Sequence, residues 1–172
     1  AKDTISRGVE EATSALQLDG SVIAKTNDIH VAVSYIVIPV KLSVGRESVD
    51  VSENTTVVTV QISGNNSHYM SNIYNGTARA GDYDSANLTR TLENLFGSET
   101  NPTAYFAIEN SDGDKLLESK EKAFLLIYFG NSTFAWEYDT VKIEVKGSRG
   151  ASLTVEREIP AGLATDEFID LG

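Results

Sequence analysis

The sequence contains no cysteine, three prolines and two histidines in 172 residues. The absence of cysteine excludes disulfides, thiolate nucleophiles and zinc–thiolate sites. A chain of this length can bury enough surface to form a core without such crosslinks. Its hydrophobic content of 41% and its few prolines are typical of one folded domain rather than of a disordered chain.

Positive charge and long hydrophobic runs are also scarce. The 14 Lys and Arg residues stand against 25 Asp and Glu residues, which gives a formal net charge of −11. Such a surface repels phosphate backbones and anionic lipids. The longest apolar run, around residues 35–40, is too short to span a membrane. We therefore expect neither nucleic acid as a partner nor contact of this chain with a membrane.

The N-terminal segment has the spacing of a short amphipathic helix. Ile5, Val9, Ala12 and Leu16 recur at steps of four, three and four residues, and the pattern stops near Gly20. This pattern predicts a helix over residues 2–18. The helix either docks on its own domain or is the C-terminal end of a longer assembly helix. We accordingly divide the chain into residues 1–20 and a β-domain over residues 21–172.

After residue 20 the pattern changes to that of β-strands. Val- and Ile-rich segments separated by polar turns predict strands over residues 21–25, 28–42, 56–63, 103–109, 123–129, 140–146 and 152–159. Residues 64–82 are the least regular part, and we expect a loop with one short strand there. The number and length of the strands predict a mainly β fold, an antiparallel, immunoglobulin-like β-sandwich.

Two local features refine this fold. Leu88, Leu92 and Phe96 share one face of a predicted short helix that Asp84 or Ser85 would cap and Gly97 would end. Pro39 interrupts the longest strand and cannot donate a ladder hydrogen bond, so we expect this strand at a sheet edge or with a bulge. The prediction is therefore a sandwich with one N-terminal and one further helix.

Catalytic signals are weak. His30 is expected within a strand and His68 in a polar loop, and no nucleophile-elbow, zinc-protease or phosphate-binding motif accompanies them. We therefore predict that the chain is not an enzyme.

An acidic turn at residues 110–121 is a candidate cation site. Asn110, Asp112 and Asp114 place oxygen ligands at alternate positions, and Glu118 and Glu121 follow closely. Ca²⁺ takes six to eight such oxygens. Glycine falls at the fourth position of this turn rather than the sixth, so the turn is not an EF-hand. A hairpin of solvated acids is the alternative, and no cofactor is expected to be required.

N-glycosylation is the strongest local signal. Five asparagines stand in N-x-S/T sequons without proline, where chance predicts about two; they are Asn54, Asn65, Asn75, Asn87 and Asn131. All but Asn87 fall in expected turns or loops, where a sugar would face water. Modification of these sites would place the protein outside the cell, whereas unmodified turn asparagines are the alternative.

The two ends of the chain resemble archaellins, the archaeal flagellins. The N-terminal match is carried by GVEEATSAL at residues 8–16 and LDGSVI at residues 18–23. The C-terminal match is carried by DTVKIEV at residues 139–145, GASLTVER at residues 150–157 and IDL at residues 169–171. These segments lie in the order and spacing of the family's head domain, with the variable, outward-facing part between them.

The resemblance implies a function in assembly. Archaellins polymerise, with copies of themselves or with other archaellins, into the archaellum, an extracellular motility filament. Their apolar, type IV pilin-like N-terminal helices bundle along the axis, their β-sandwich heads form the wall, N-linked glycans are common and some heads hold a divalent metal. The apolar helix would precede Ala1, so we expect this chain alone to be monomeric or weakly associating.

Two other classes of protein are alternatives. One is a different surface module, such as a pilin, S-layer or adhesin domain that binds sugar or metal. The other is a secreted hydrolase. An apolar run of about 20 residues upstream would favour the filament subunit.

Overall fold

The computed structural model describes residues 15–109, 113–147 and 150–172. These residues form thirteen strands and one helix. In chain order they are β1 (Leu16–Leu18), β2 (Ile23–Thr26), β3 (Val33–Leu42), β4 (Ser48–Asp50), β5 (Val57–Ser63), β6 (His68–Met70), β7 (Tyr74–Thr77), α1 (Leu88–Phe96), β8 (Thr103–Glu109), β9 (Leu116–Glu118), β10 (Lys122–Tyr128), β11 (Thr140–Lys146), β12 (Leu153–Glu158) and β13 (Phe168–Asp170).

The strands form two packed sheets and one small pair. The larger sheet has the order β13-β2-β3-β10-β8-β7, and β1 also pairs with β3. The smaller sheet has the order β12-β11-β5-β6, while β4 pairs only with β9. Every pairing is antiparallel except that of β7 with β8. The mainly β sandwich expected from the sequence is confirmed.

The main core lies between the two sheets. Period-two alternation sends Ile36 and Ile38 of β3 and Val60 and Ile62 of β5 into this layer, where all four are buried. Burial of each such side chain contributes roughly 1.5–3 kcal/mol. The buried apolar face of β5 thus holds the smaller sheet on the larger one.

Helix α1 covers the other face of the larger sheet. Its residues Leu92 and Phe96 are buried against Val37 of β3 and Leu126 of β10. The helix begins after Asn87, whose side chain accepts a hydrogen bond from the backbone N–H of Arg90, and it ends at Gly97. The predicted helix is confirmed, although its cap is Asn87 rather than Asp84 or Ser85. Among the described residues no helix is long and apolar enough to cross a membrane.

The C-terminal end of the expected N-terminal helix is a strand in the structure. Residues 16–18 are not helical but form β1, in which Leu16 lies opposite Leu42 and Leu18 opposite Val40 of β3. Both leucines pack on the core between the sheets. The sandwich therefore extends upstream of the expected boundary at residue 20. Residues 2–14 of that expected helix lie outside the described residues.

Strand β3 is central rather than at an edge, despite Pro39. It pairs with β10 on one side and with both β1 and β2 on the other. The carbonyl of Pro39 accepts a hydrogen bond from Asp19, in the gap between β1 and β2. Because N–H and C=O of one residue point to the same side of an antiparallel strand, the missing N–H faces this gap.

Several short segments also differ from expectation. The strand expected from residue 28 begins at Val33, because residues 28–32 form bends. The expected loop over residues 64–82 contains two strands, β6 and β7. Strands β4 and β9 lie in segments with turn composition and are stabilised by pairing with each other.

Candidate glycan and cation sites

All five sequon asparagines are exposed on the surface. Asn54 lies in the turn between β4 and β5, and Asn65 lies in the bend after β5. Asn131 lies in a bend three residues beyond Tyr128, the last residue of β10. These three are in the irregular segments that the sequence predicts. Each is therefore accessible to a modifying enzyme and has room for a sugar in the surrounding water.

The other two sequons are in regular structure or at its boundary. Asn75 is in strand β7, not in a loop, and its side-chain amide donates a 2.8 Å hydrogen bond to the hydroxyl of Tyr105. Strand β7 is the last strand of its sheet, which explains why Asn75 still faces solvent. Asn87 is the N-cap of α1, and its Oδ1 accepts a 3.0 Å hydrogen bond from Arg90.

Asn131 is held in a defined position. Its backbone N–H donates to the carbonyl of Thr100 at 3.1 Å, and the Ser132 hydroxyl donates to its Oδ1 at 3.1 Å. Its Nδ2, the atom to which an N-linked sugar is attached, has no hydrogen-bond partner in the part of the chain that the structure describes. Asn131 is exposed and also lines a cavity of about 510 Å³.

This cavity lies beside α1, at one end of the larger sheet. The rings of Tyr35 and Tyr128 stack at a centroid distance of 5.0 Å and form part of its lining. Glu93 of α1 lines it from the helix, and Asp28 and His30 from the loop between β2 and β3. The sequence gives no local signal for this cavity, because its aromatic residues lie on separate strands that only the sheet brings together.

The charges in the cavity are mainly negative. Its one lysine, Lys25, is 9% exposed and forms a 2.7 Å ion pair with Asp166. Burial, followed by repulsion from Tyr128, Asp28 and Glu93, raises the pKa of Tyr35 to about 12. The phenol is therefore neutral at physiological pH and retains its O–H as a donor.

An aromatic cluster adjoins the cavity. The ring of His30 packs edge-on against Phe134 at 4.9 Å, and Phe134 lies 6.2 Å from Trp136. His30 is in a bend, not within a strand, and His68 is the first residue of β6, not a loop residue. The two histidines line different cavities. Their arrangement therefore gives no catalytic pair.

The acidic turn is only partly described. Asn110 and Asp112 lie outside the described residues. The Asp114 carboxylate accepts a 3.0 Å hydrogen bond from the backbone of Leu116, and Glu121 accepts one of 2.8 Å from the backbone of Glu118. Among residues 15–109, 113–147 and 150–172 no three His, Cys, Asp or Glu side chains are grouped for a metal. A cation site at this turn stays a prediction.

The chain is similar to known proteins of one family. Residues 1–157 match the profile of the family described as archaeal-type flagellin. The chain is 40% identical, over all 172 residues and 80% of the relative's length, to probable flagellin 1 of Aeropyrum pernix. It is 25% identical to probable flagellin 1 of Archaeoglobus fulgidus over 166 residues, and this alignment covers 94% of this chain and 73% of that protein.

Solved structures share the fold. The crystal structure of archaeal flagellin FlaB1 from Methanocaldococcus jannaschii superposes with a TM-score of 0.66 at 15% identity, over 91% of this chain and 95% of that one. The archaeal flagellum of Methanospirillum hungatei gives a TM-score of 0.53 at 15% identity, over 94% of this chain and 74% of that one. Since the profile spans most of the sequence and the first relative aligns throughout, this chain belongs to the archaeal-type flagellin family, the structural subunits that polymerise into the archaellum, the extracellular motility filament of archaea.

Proposed function

We propose that this chain is the head of its archaellum subunit: the β-sandwich forms the filament wall, and an apolar N-terminal helix preceding Ala1 holds the subunits together. The family match over residues 1–157 is the observation that carries this proposal. The family resemblance of the two chain ends supports the position of the helix. Burial of a continuous apolar helix among its copies would supply about 25 cal/mol per Å² removed from water.

The proposed role is mechanical rather than catalytic. Support comes from the two histidines, which line different cavities. Within the described part of the chain, moreover, no three His, Cys, Asp or Glu side chains are grouped to hold a metal. A subunit contact that repeats with a rotation that does not close gives a helical fibre. The net charge of −11 would keep neighbouring filaments apart in solution.

Gene deletion with complementation tests this role. Cells without the gene should lose filaments or swimming, and the complete encoded subunit should restore both. The matched control is the same gene restricted to residues 15–172, which should be stable but should not form filaments. Normal filaments and swimming in the deletion strain would contradict the proposal.

We further propose that the five exposed sequons carry N-linked glycans on the outside of the filament. Their exposure supports this assignment, since each accepts a sugar without loss of core packing. Mass spectrometry of peptides from native filaments is the test. Glycan masses on these asparagines are the expected result, and unmodified peptides at all five would refute it.

For the acidic turn we propose that no cation is needed for folding. The carboxylates of Asp114 and Glu121 already accept backbone hydrogen bonds, which favours a solvated hairpin over a Ca²⁺ site. Thermal melting of the chain should give equal midpoints in EDTA and in millimolar CaCl₂. A cation that binds only the folded form would raise the midpoint with its concentration, and such a rise would establish the Ca²⁺ alternative.

A further inference from the structure

Asn131 is an exposed residue in the lining of the cavity beside α1. The cavity is lined by Asn131 together with three aromatic residues, Phe134, Tyr35 and Tyr128. The Nδ2 of Asn131 has no hydrogen-bond partner among the described residues. The cavity volume of about 510 Å³ is within the range of small-ligand sites, roughly 300–1,000 Å³. A sugar attached at this asparagine would begin at the wall of the cavity.

The lining offers what a sugar requires. The hydroxyls of Tyr35 and Tyr128 donate no hydrogen bond to any described residue, yet neither is sealed from solvent. The carboxylates of Asp28 and Glu93 are acceptors for sugar hydroxyls. The half-buried ring of Phe134 presents an apolar surface for the C–H face of a pyranose.

We propose that the first sugars of a glycan on Asn131 fold back and bind in this cavity. This inference rests on the proposed glycosylation and specifies what one of the glycans does. The cavity carries Asp28, Glu93 and Asp166, whereas its one lysine is already paired with Asp166. Carboxylated or sulfated sugars would be repelled, so the bound residues are neutral, hydroxyl-rich sugars.

The covalent attachment makes weak contacts sufficient. A ligand on a short flexible tether has an effective concentration in the millimolar range. A sugar with only millimolar intrinsic affinity is then bound for about half of the time or more. Glycans on Asn54 or Asn65 begin in turns that do not line this cavity, so they serve as internal controls.

The sole tryptophan is a reporter for this binding. Trp136 is 39% exposed, and its ring centroid lies 6.2 Å from that of Phe134, which lines the cavity. We would measure acrylamide quenching of Trp136 in the full subunit, purified from cells in detergent as monomer. Asn131→Gln should raise the quenching constant roughly two-fold, as expected if a half-populated bound state is lost, whereas Asn54→Gln should leave it unchanged.

A second variant separates sugar binding from attachment. Phe134→Ala should keep the glycan on Asn131, verified by mass spectrometry, but should raise hydrogen exchange of residues 27–32 to the level of Asn131→Gln. The same substitution in unglycosylated subunit should change this exchange much less. Equal effects with and without glycan would mean that Phe134 acts only on the fold and would overturn the proposal.

Other outcomes also overturn it. If Asn131→Gln leaves the quenching of Trp136 unchanged but quenching falls as subunits polymerise, this surface binds a second copy of the chain instead of a glycan. An unmodified Asn131 in subunits glycosylated at the other sequons would refute this inference while the proposed general glycosylation stands. Unmodified peptides at all five sites would refute both.

Discussion

Substitution of Gly64 tests how the loop that carries Asn131 and Trp136 is anchored. A Cβ at residue 64 would stand 1.9 Å from Oδ1 and 2.9 Å from Cγ of Asp139. Asp139 is 3% exposed, and its Oδ2 accepts a 2.9 Å hydrogen bond from the backbone N–H of Trp136. The carboxylate therefore cannot rotate away without breaking a buried bond.

We expect Gly64→Ala to lower the free energy of unfolding by about 2–4 kcal/mol, the sum of overpacking and a lost hydrogen bond to a charged group. Urea denaturation at constant m value is the assay. Gly45→Ala is the matched control, because a Cβ there has no heavy atom within 4 Å and costs only the left-handed backbone strain of about 1–2 kcal/mol.

A double-mutant cycle isolates the contact. In an Asp139→Ala background the obstructing carboxylate is gone, so Gly64→Ala should cost only the backbone strain at residue 64, whose φ is +158°, of about 1–2 kcal/mol. The reasoning would be refuted if Gly64→Ala were as mild as Gly45→Ala, or if its cost were the same in both backgrounds.

Three further changes test the layers of the fold. Leu125→Ala opens the core between the sheets and should cost about 2–5 kcal/mol in urea denaturation, whereas Val44→Ala, at a 95% exposed side chain, should stay within about 0.5 kcal/mol. Asn87→Ala removes the cap of α1 and should cost about 1 kcal/mol, while Asn87→Asp keeps an acceptor and should cost little; equal losses would exclude capping as the cause. The pKa of Tyr35 is raised to about 12 in the folded protein. The neutral phenol therefore contributes fully to the free energy of unfolding below its unfolded pKa of about 10, and this contribution is lost as pH rises towards 12. Tyr35→Phe should reduce this alkaline fall in the free energy of unfolding, and an unchanged dependence of that free energy on pH would contradict the assignment.

The sequence predicts the elements whose periodicity is local. Strands β5 and β11 alternate strictly, and α1 has three apolar residues on one face before a terminating glycine. These elements lie where the pattern places them, because the side chains that determine burial are close together in the chain. The mainly β sandwich follows from these segments.

The elements that the sequence misplaces depend on distant partners. Leu16–Leu18 continues a helical spacing but is a strand because β3 offers an unpaired edge beside residues 40–42. Strands β4 and β9 have three residues each and exist through their mutual pairing across about 65 residues of chain. Pro39 predicts an edge, yet the missing N–H falls in a gap between two partners of β3.

The candidate site likewise has one part that the sequence predicts, the sequons, and one part that it does not, the cavity. The sequons are read directly from three consecutive residues, and all five asparagines are exposed. The cavity at Asn131 was not predictable, because Tyr35 and Tyr128 become neighbours only when β3 pairs with β10. Single aromatic residues on separate strands carry no signal of their own.

A helical reconstruction of the native filament by electron cryo-microscopy is the most direct measurement of the central claim. It should place the two-sheet domain of residues 15–172 at the outer radius, with the helices of all subunits at the axis and additional density on the sequon asparagines. A filament whose β-domains surround the axis, or one built without this chain in cells that express it, would contradict the account.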